Sequence, residues 1–225
     1  MKKILFSKSF MLYIIIVLCI GYFVGYDIKN DFLNIYIGKM TLLPFRYILL
    51  TLIVLVSNFV CNSFFNSAVI VRNKNSFNLF LTISKYEFFT FLIIYICLNI
   101  PVLIFNFNPF IDNLFSIIVV ILNSVLISLI CSSIIKLIDI KFKNRVLSSC
   151  TFLVCLSLFD FILEHFNFYV FADNVFDFSY IFALPIIYNN YIIILIFLIL
   201  IYCLLTSSVI NLAYKRDYFL RHDTK

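Results

Sequence analysis

Residues 114–135 read LFSIIVVILNSVLISLICSSII, a run without a single charged side chain. A helix needs about 20 predominantly apolar residues to cross a hydrocarbon layer of ~30 Å. The strands of a membrane barrel would instead alternate polar and apolar residues over about ten positions. This stretch therefore predicts a transmembrane helix, and the rest of the chain repeats its pattern.

The composition supports a membrane location for nearly the whole chain. Of its 225 residues, 64% are hydrophobic and 12% are charged, whereas a soluble domain has about 25% charged residues. A water-soluble fold of this length has too little polar surface to cover so much apolar material, so lipid must cover it. We predict a single transmembrane domain over residues 1–225, with no room for a sizeable soluble domain.

The same length criterion predicts an all-α, polytopic membrane protein with six transmembrane helices. Pro101 is expected to kink the third helix near its outer end. The six predicted helices cover residues of about 6–26, 45–71, 88–107, 114–135, 146–163 and 191–212.

The basic residues predict that both chain ends lie in the cytoplasm. With six helices and an inner N-terminus, all of the 17 Lys and Arg residues except Lys29, Lys39 and Arg46 fall on the cytoplasmic side. Lys136 is among those assigned to that side. This asymmetry satisfies the positive-inside rule. We interpret the net charge of +6 first as this topology signal and second as a surface for acidic lipid or protein. No nucleic-acid partner is expected.

The cytoplasmic connection after the second helix has a pattern of its own. Residues 72–89 read RNKNSFNLFLTISKYEFF, in which a polar start is followed by apolar residues at roughly helical spacing. The pattern predicts a short helix in the membrane interface, ending where residues 84–87 turn back into the membrane. The alternative is an ordinary loop whose aromatic side chains rest on the headgroups.

The outer connection between the fifth and sixth helices is too long and too apolar for a simple loop. Residues 164–190 are interrupted by polar residues and Pro185, so they predict a re-entrant hairpin packed against the bundle. A surface-lying amphipathic helix is the alternative. Asp160, the only acidic residue assigned to a predicted span, lies one turn before Glu164. Together with His165, these residues either line an outer cavity or form a solvated polar edge.

Signatures of catalysis are missing from the sequence. It contains no GxxxxGK[ST] phosphate-binding loop and no HExxH motif. The chain has two histidines, and its cysteines show neither CxxC pairing nor metal-ligand spacing. We therefore predict no catalytic residues, no metal site and no enzymatic activity in this chain.

Two stretches carry a resemblance to a known family. Residues 69–95, VIVRNKNSFNLFLTISKYEFFTFLIIY, and residues 182–185, FALP, resemble a small permease of the type-two ATP-binding-cassette exporters. The resemblance extends over the whole chain as a pattern of six helices, a basic loop and a broken outer hairpin. It departs from larger members in the few residues that precede the first helix, so the amphipathic elbow helix is expected to be short or missing.

The resemblance implies a function in the bacterial cytoplasmic membrane. Two such bundles, copies of this chain or a homologous pair, would move a hydrophobic or amphipathic substrate, with peptide export or bacteriocin immunity as the implied role. ATP and Mg²⁺ would be bound by a separate ATPase subunit, which would push on the loop from Arg72 to Glu87. The residues implied in coupling are Phe77, Leu79, Phe80, Ser84 and Lys85.

Two other functions are compatible with a bundle of six helices. A substrate-binding membrane subunit of an importer would have a ligand pocket open to the outside. A non-transporting protein, such as an immunity factor or a sensor partner, would act without any ATPase.

Overall fold

The long apolar runs form helices throughout the part of the chain that the structure describes. The computed structural model describes residues 8–26, 28, 32–41, 50–58, 76–142, 144–165 and 191–222, and these ranges contain no strand. Residues 50–58 are helical. The other helices are α1 (Lys8–Gly25), α2 (Phe32–Thr41), α3 (Ser76–Phe105), α4 (Phe107–Asp112), α5 (Leu114–Phe142), α6 (Arg145–His165) and α7 (Tyr191–His222).

Within the residues that the structure describes, three helices are long and apolar enough to span a membrane. These candidate spans are Phe77–Phe105 in α3, Leu114–Phe142 in α5 and Tyr191–Lys215 in α7. Shorter apolar helical segments run over Met11–Gly25 and Val146–Cys155. The all-helical class is thus confirmed over the described ranges, and the helices are those of a membrane protein. The predicted second span is described only at residues 50–58, and most of the predicted outer hairpin lies outside the described residues.

The prediction of a separate interfacial helix after the second span is wrong over residues 76–105. α3 is one continuous helix of 30 residues that begins at Ser76 and passes through Pro101. A helix of this length measures about 45 Å, some 15 Å more than the hydrocarbon layer. The stretch contains no glycine, and Glu87, predicted to end a turn, is buried inside the bundle. Residues 76–100 contain neither glycine nor proline, so no helix-breaking residue interrupts α3 before Pro101.

α1 packs closely along the second half of α3. Gly21 and Gly25 of α1 face Leu98, Pro101 and Val102 of α3, and a Cβ at position 25 would lie 2.9 Å from the Cα of Val102. A Cβ at position 21 would collide with the carbonyl oxygen of Leu98. Such spacing of two glycines lets two helix backbones approach closely in a membrane.

α5 is the central helix of the described bundle. It contacts α3, α6 and α7, and a larger share of its span is buried than in either of the other two candidate spans. Small serine side chains on its buried face permit this close packing. α7, by contrast, leaves most of its span exposed. The site described below lies where α3, α5 and α7 meet.

α2 closes one end of the bundle, which we call the α4 end because Phe105, α4 and Leu114 lie there. Phe32 of α2 stacks on Tyr36, with ring centroids 6.0 Å apart, and meets Phe110 of α4 edge-on at 6.3 Å. Asn106 donates its side-chain amide to the carbonyl oxygen of Gly25 over 2.8 Å. These contacts join α2, α4 and the end of α1.

Candidate functional site

An ion pair is buried between α3 and α5. The Nζ atom of Lys136 lies 2.6 Å from Oε2 of Glu87, and the two side chains are 1% and 0% exposed. Ser132, one turn before Lys136, donates its hydroxyl to the other carboxylate oxygen of Glu87 over 2.8 Å. Both oxygens of the carboxylate are therefore bonded, as a buried charge requires.

Hydrogen bonds around this pair join four helical segments. Ser57, in the segment 50–58, donates to the backbone oxygen of Ser132 over 3.2 Å. Tyr202 of α7 donates to the hydroxyl of Ser84 on α3 over 2.9 Å. The hydroxyls of Ser133 on α5 and Thr206 on α7 lie 3.1 Å apart. We call these residues the polar node: Ser57, Ser84, Glu87, Ser132, Ser133, Lys136, Tyr202 and Thr206.

The spacing of residues along α5 explains how the node forms. Ser124, Ser128, Ser132 and Lys136 follow one another at intervals of four and are all buried. Residues four apart lie on the same face of a helix, so these side chains form one polar stripe. The hydroxyl of Ser128 also donates to the backbone oxygen of Ser124 over 2.8 Å, which satisfies it inside the bundle.

A second polar cluster lies between the node and the α4 end. The hydroxyl of Tyr36 donates to Oδ1 of Asn99 over 2.8 Å, and the Asn99 amide donates to the backbone oxygen of Tyr95 over 2.8 Å. The hydroxyls of Tyr95 and Ser128 lie 2.8 Å apart. Burial raises the pKa of Tyr36 above its ordinary value, so its hydroxyl keeps its proton and remains a donor.

The Tyr36 contact provides a test of this cluster. Tyr36→Phe removes the donor and leaves the buried Oδ1 of Asn99 without it, which is expected to lower the free energy of unfolding by about 1–2 kcal/mol. Thermal unfolding in mild detergent measures the change. Tyr22→Phe is the matched control, because the side chain of Tyr22 is exposed. Equal midpoints for Tyr36→Phe and wild type would contradict the role of this hydrogen bond.

The start of α3 presents an aromatic surface at the end opposite α4. Phe77 is 61% exposed and stacks on Phe80, with ring centroids 6.4 Å apart and planes at 12°. Both rings line a groove of ≈ 300 Å³ against α7, whose wall there is formed by Cys203, Ser207, Ile210 and Asn211. We call Phe77 and Phe80 the aromatic end.

The opposite face of the same turn of α3 is fixed to the bundle. Leu79 and Ile83 are fully buried and pack with Tyr86 in a small cluster against Val56 and Tyr214. Leu79 therefore holds α3 in place and is not available to a partner. The predicted coupling set thus divides into a buried face and an exposed one.

The other residues of that predicted set lie in different surroundings. Lys85 is exposed, Ser84 is partly buried in the polar node, and Glu87 is fully buried. Glu87 was predicted to end the loop where the chain turns back into the membrane, but it lies within α3 and its carboxylate is turned to Lys136. Arg72 lies outside the described residues.

The three residues predicted to line an outer cavity lie near the C-terminal end of α6. Asp160, Glu164 and His165 lie within the helix Arg145–His165, but their side chains lie outside what the structure describes. An outer cavity there remains a prediction. The assignment of Asp160 as the only acidic residue in a span is wrong, because Glu87 lies inside the candidate span Phe77–Phe105.

Sequence reasoning missed the role of Lys136. It was assigned to the cytoplasmic surface with the other basic residues, whereas the structure buries it against Glu87. The signal that could have found it is the interval of four that places Lys136 in line with three serines of an otherwise apolar helix. No comparable spacing identifies Glu87.

Among the residues that the structure describes, no three or more His, Cys, Asp or Glu side chains are grouped so that they could hold a metal ion. Comparison with family models, with curated proteins and with solved structures finds no match to this chain.

Proposed function

We propose that this chain is the membrane permease subunit of an ATP-binding-cassette exporter of the bacterial cytoplasmic membrane. The observation that carries the proposal is the continuity of α3, which joins the exposed aromatic end to the buried Glu87–Lys136 pair in one helix. A force applied to the aromatic end is thereby transmitted to the centre of the bundle.

The exposure of the aromatic end supports contact with a protein. Phe77 is exposed although Leu79, two residues on, is fully buried. Large aromatic side chains are among the residues that contribute most binding energy at protein interfaces. The extra length of α3 beyond a ~30 Å hydrocarbon layer allows this end to lie outside the hydrocarbon. A soluble ATPase subunit, carrying ATP and Mg²⁺, is the proposed partner.

The proposed mechanism is mechanical. Closure of the ATPase subunits on ATP pushes on the start of α3, and α3 moves against α5 and α7. Two bundles, either two copies of this chain or this chain and a homologous permease, form the path between them. The exposed apolar faces of α6 and α7 are surfaces for this pairing or for lipid. The proposed substrate is a hydrophobic or amphipathic peptide, exported from the cell or the membrane.

Replacing both rings of the aromatic end is expected to release the ATPase. In the variant Phe77→Asp with Phe80→Asp, each lost aromatic contact costs about 2 kcal/mol if it is an interface hot spot, which is a roughly 30-fold loss of affinity. The measurement is purification of the tagged chain from its native host in mild detergent, with quantitative mass spectrometry of the accompanying proteins.

The control variant is Phe107→Asp, because Phe107 is 62% exposed at the α4 end. We expect it to retain the ATPase, since it lies at the far end of the bundle. A wild-type chain that is folded but comes out with no ATPase would overturn the exporter proposal. Binding of a small molecule or a toxin would then be tested, as for an importer subunit or an immunity factor.

A further inference from the structure

The Glu87–Lys136 pair is costly in the place where it lies. Each buried ion loses several kcal/mol of hydration, and an apolar pair of similar volume is often equally stable or more stable. Charged residues inside membrane helices are rare and usually mark functional positions. Stability alone therefore does not explain why charges occupy these two positions of an apolar bundle.

A directional polar contact can fix the register of two packed helices more strictly than an apolar contact can. The attraction between apolar side chains is non-directional, so it selects between neighbouring registers less strictly than a charged contact does. The pair, with Nζ 2.6 Å from Oε2 and Ser132 bonded to Oε1, is satisfied in one register only. Setting a unique register is the best-attested use of buried polar groups.

The position of the pair on α3 relates this register to the aromatic end. Glu87 follows Phe80 by two helical turns, and Ser84, between them, accepts the hydrogen bond from Tyr202 of α7. A displacement of the aromatic end therefore reaches the pair before it reaches the second half of α3. Beyond the pair, Tyr95 and Ser128 form another polar contact between the same two helices.

We propose that Glu87 and Lys136 are positioning residues, which fix α3 on α5 so that movement of the aromatic end is passed to the bundle. This proposal rests on the proposed function, since it assumes that an ATPase pushes on α3. According to this proposal, the pair is necessary for coupling but not for folding or for docking of the ATPase.

The test replaces both charges at once, because a single change leaves one charge buried alone. The variant is Glu87→Leu with Lys136→Met, and the matched control is Tyr95→Phe with Ser128→Ala, which removes the other polar contact between α3 and α5. Lys136→Arg keeps the positive charge and serves as the conservative variant. Each full-length chain is purified with its ATPase from the native host. Thermal midpoint, ATPase stoichiometry and the rate of ATP hydrolysis are measured.

We expect the apolar double variant to keep its thermal midpoint and its ATPase. The stimulation of ATP hydrolysis by the permease is expected to fall at least about tenfold. The control double variant is expected to keep the stimulation, and Lys136→Arg to retain most of it.

Wild-type stimulation in the apolar variant would overturn the proposal, as would equal loss in the control. Loss of folding or of the ATPase in the apolar variant would also overturn it, because the pair would then act in stability or docking. Absence of an ATPase from the wild-type preparation overturns the proposed function itself, a result separate from these.

Discussion

Lys136→Met alone is expected to lower the free energy of unfolding by about 3–5 kcal/mol, the usual cost of leaving one partner of a buried ion pair uncompensated. Methionine is unbranched and fills nearly the same channel as the lysine stem, so little packing is lost. The loss comes from Glu87, whose carboxylate is fully buried and keeps, among the described residues, the hydrogen bond from Ser132. An unpaired charge among apolar helices has no water to replace its partner.

Thermal unfolding in mild detergent measures this effect, with a fall in midpoint on the order of 10 °C expected for a chain of this size. Lys141→Met is the matched control, because Lys141 lies on the same helix and is exposed. It is expected to leave the midpoint nearly unchanged. If Lys136→Met behaved like Lys141→Met, the pair would contribute no net electrostatic stability. Adding Glu87→Leu to Lys136→Met is expected to restore the midpoint, because it removes the orphaned charge.

The helices whose signal is local were predictable from the sequence. The fourth predicted span began at residue 114, where α5 begins, and the fifth and sixth began within one residue of α6 and α7. The length of an apolar run can be read directly from the sequence, without information from elsewhere in the chain. The C-terminal ends were less accurate, since α5 continues to Phe142 beyond the last apolar residue of the predicted span.

The break predicted at residues 84–87 of α3 was wrong because the environment of Glu87 depends on a distant residue. Glu87 in isolation indicates a polar turn at the membrane surface, and its partner Lys136 is 49 positions away. Taken alone, each charged residue predicts a position exposed to water. Only the contact between the two makes both compatible with the interior of the bundle. The same is true of Tyr36, which lies between the first and second predicted helices and meets Asn99 across 63 positions.

The aromatic end shows an intermediate case. The apolar pattern over residues 77–81 correctly indicated a helix, and it could not tell which face that helix would bury. Leu79 is buried and Phe77 exposed because the partner surface on Val56 and Tyr214 exists only in the folded bundle. Exposure, which decides the candidates for binding, is thus a tertiary property.

Gly21→Leu is expected to be the most disruptive single change in α1. The face of α1 at Gly21 lies against the backbone of α3, and a Cβ there would overlap the carbonyl oxygen of Leu98. Backbone atoms cannot move aside as a flexible side chain can, so the two helices must separate. Overpacking of this kind costs about 1–3 kcal/mol, and occasionally more. We expect the lower part of this range for Gly21→Ala and the upper part or beyond for Gly21→Leu.

The control is Cys19→Leu, which adds apolar volume to the exposed side of the same helix and is expected to leave the thermal midpoint unchanged. An unchanged midpoint in Gly21→Leu would contradict the close packing of α1 on α3. Separation of these helices would also break the hydrogen bond from Asn106 to the carbonyl oxygen of Gly25, so the second half of α3 would lose its support. The glycines thus hold the second half of α3 against α1, and their loss is expected to free that half of the helix, whereas the proposed role of the buried pair is to set the register of α3 on α5.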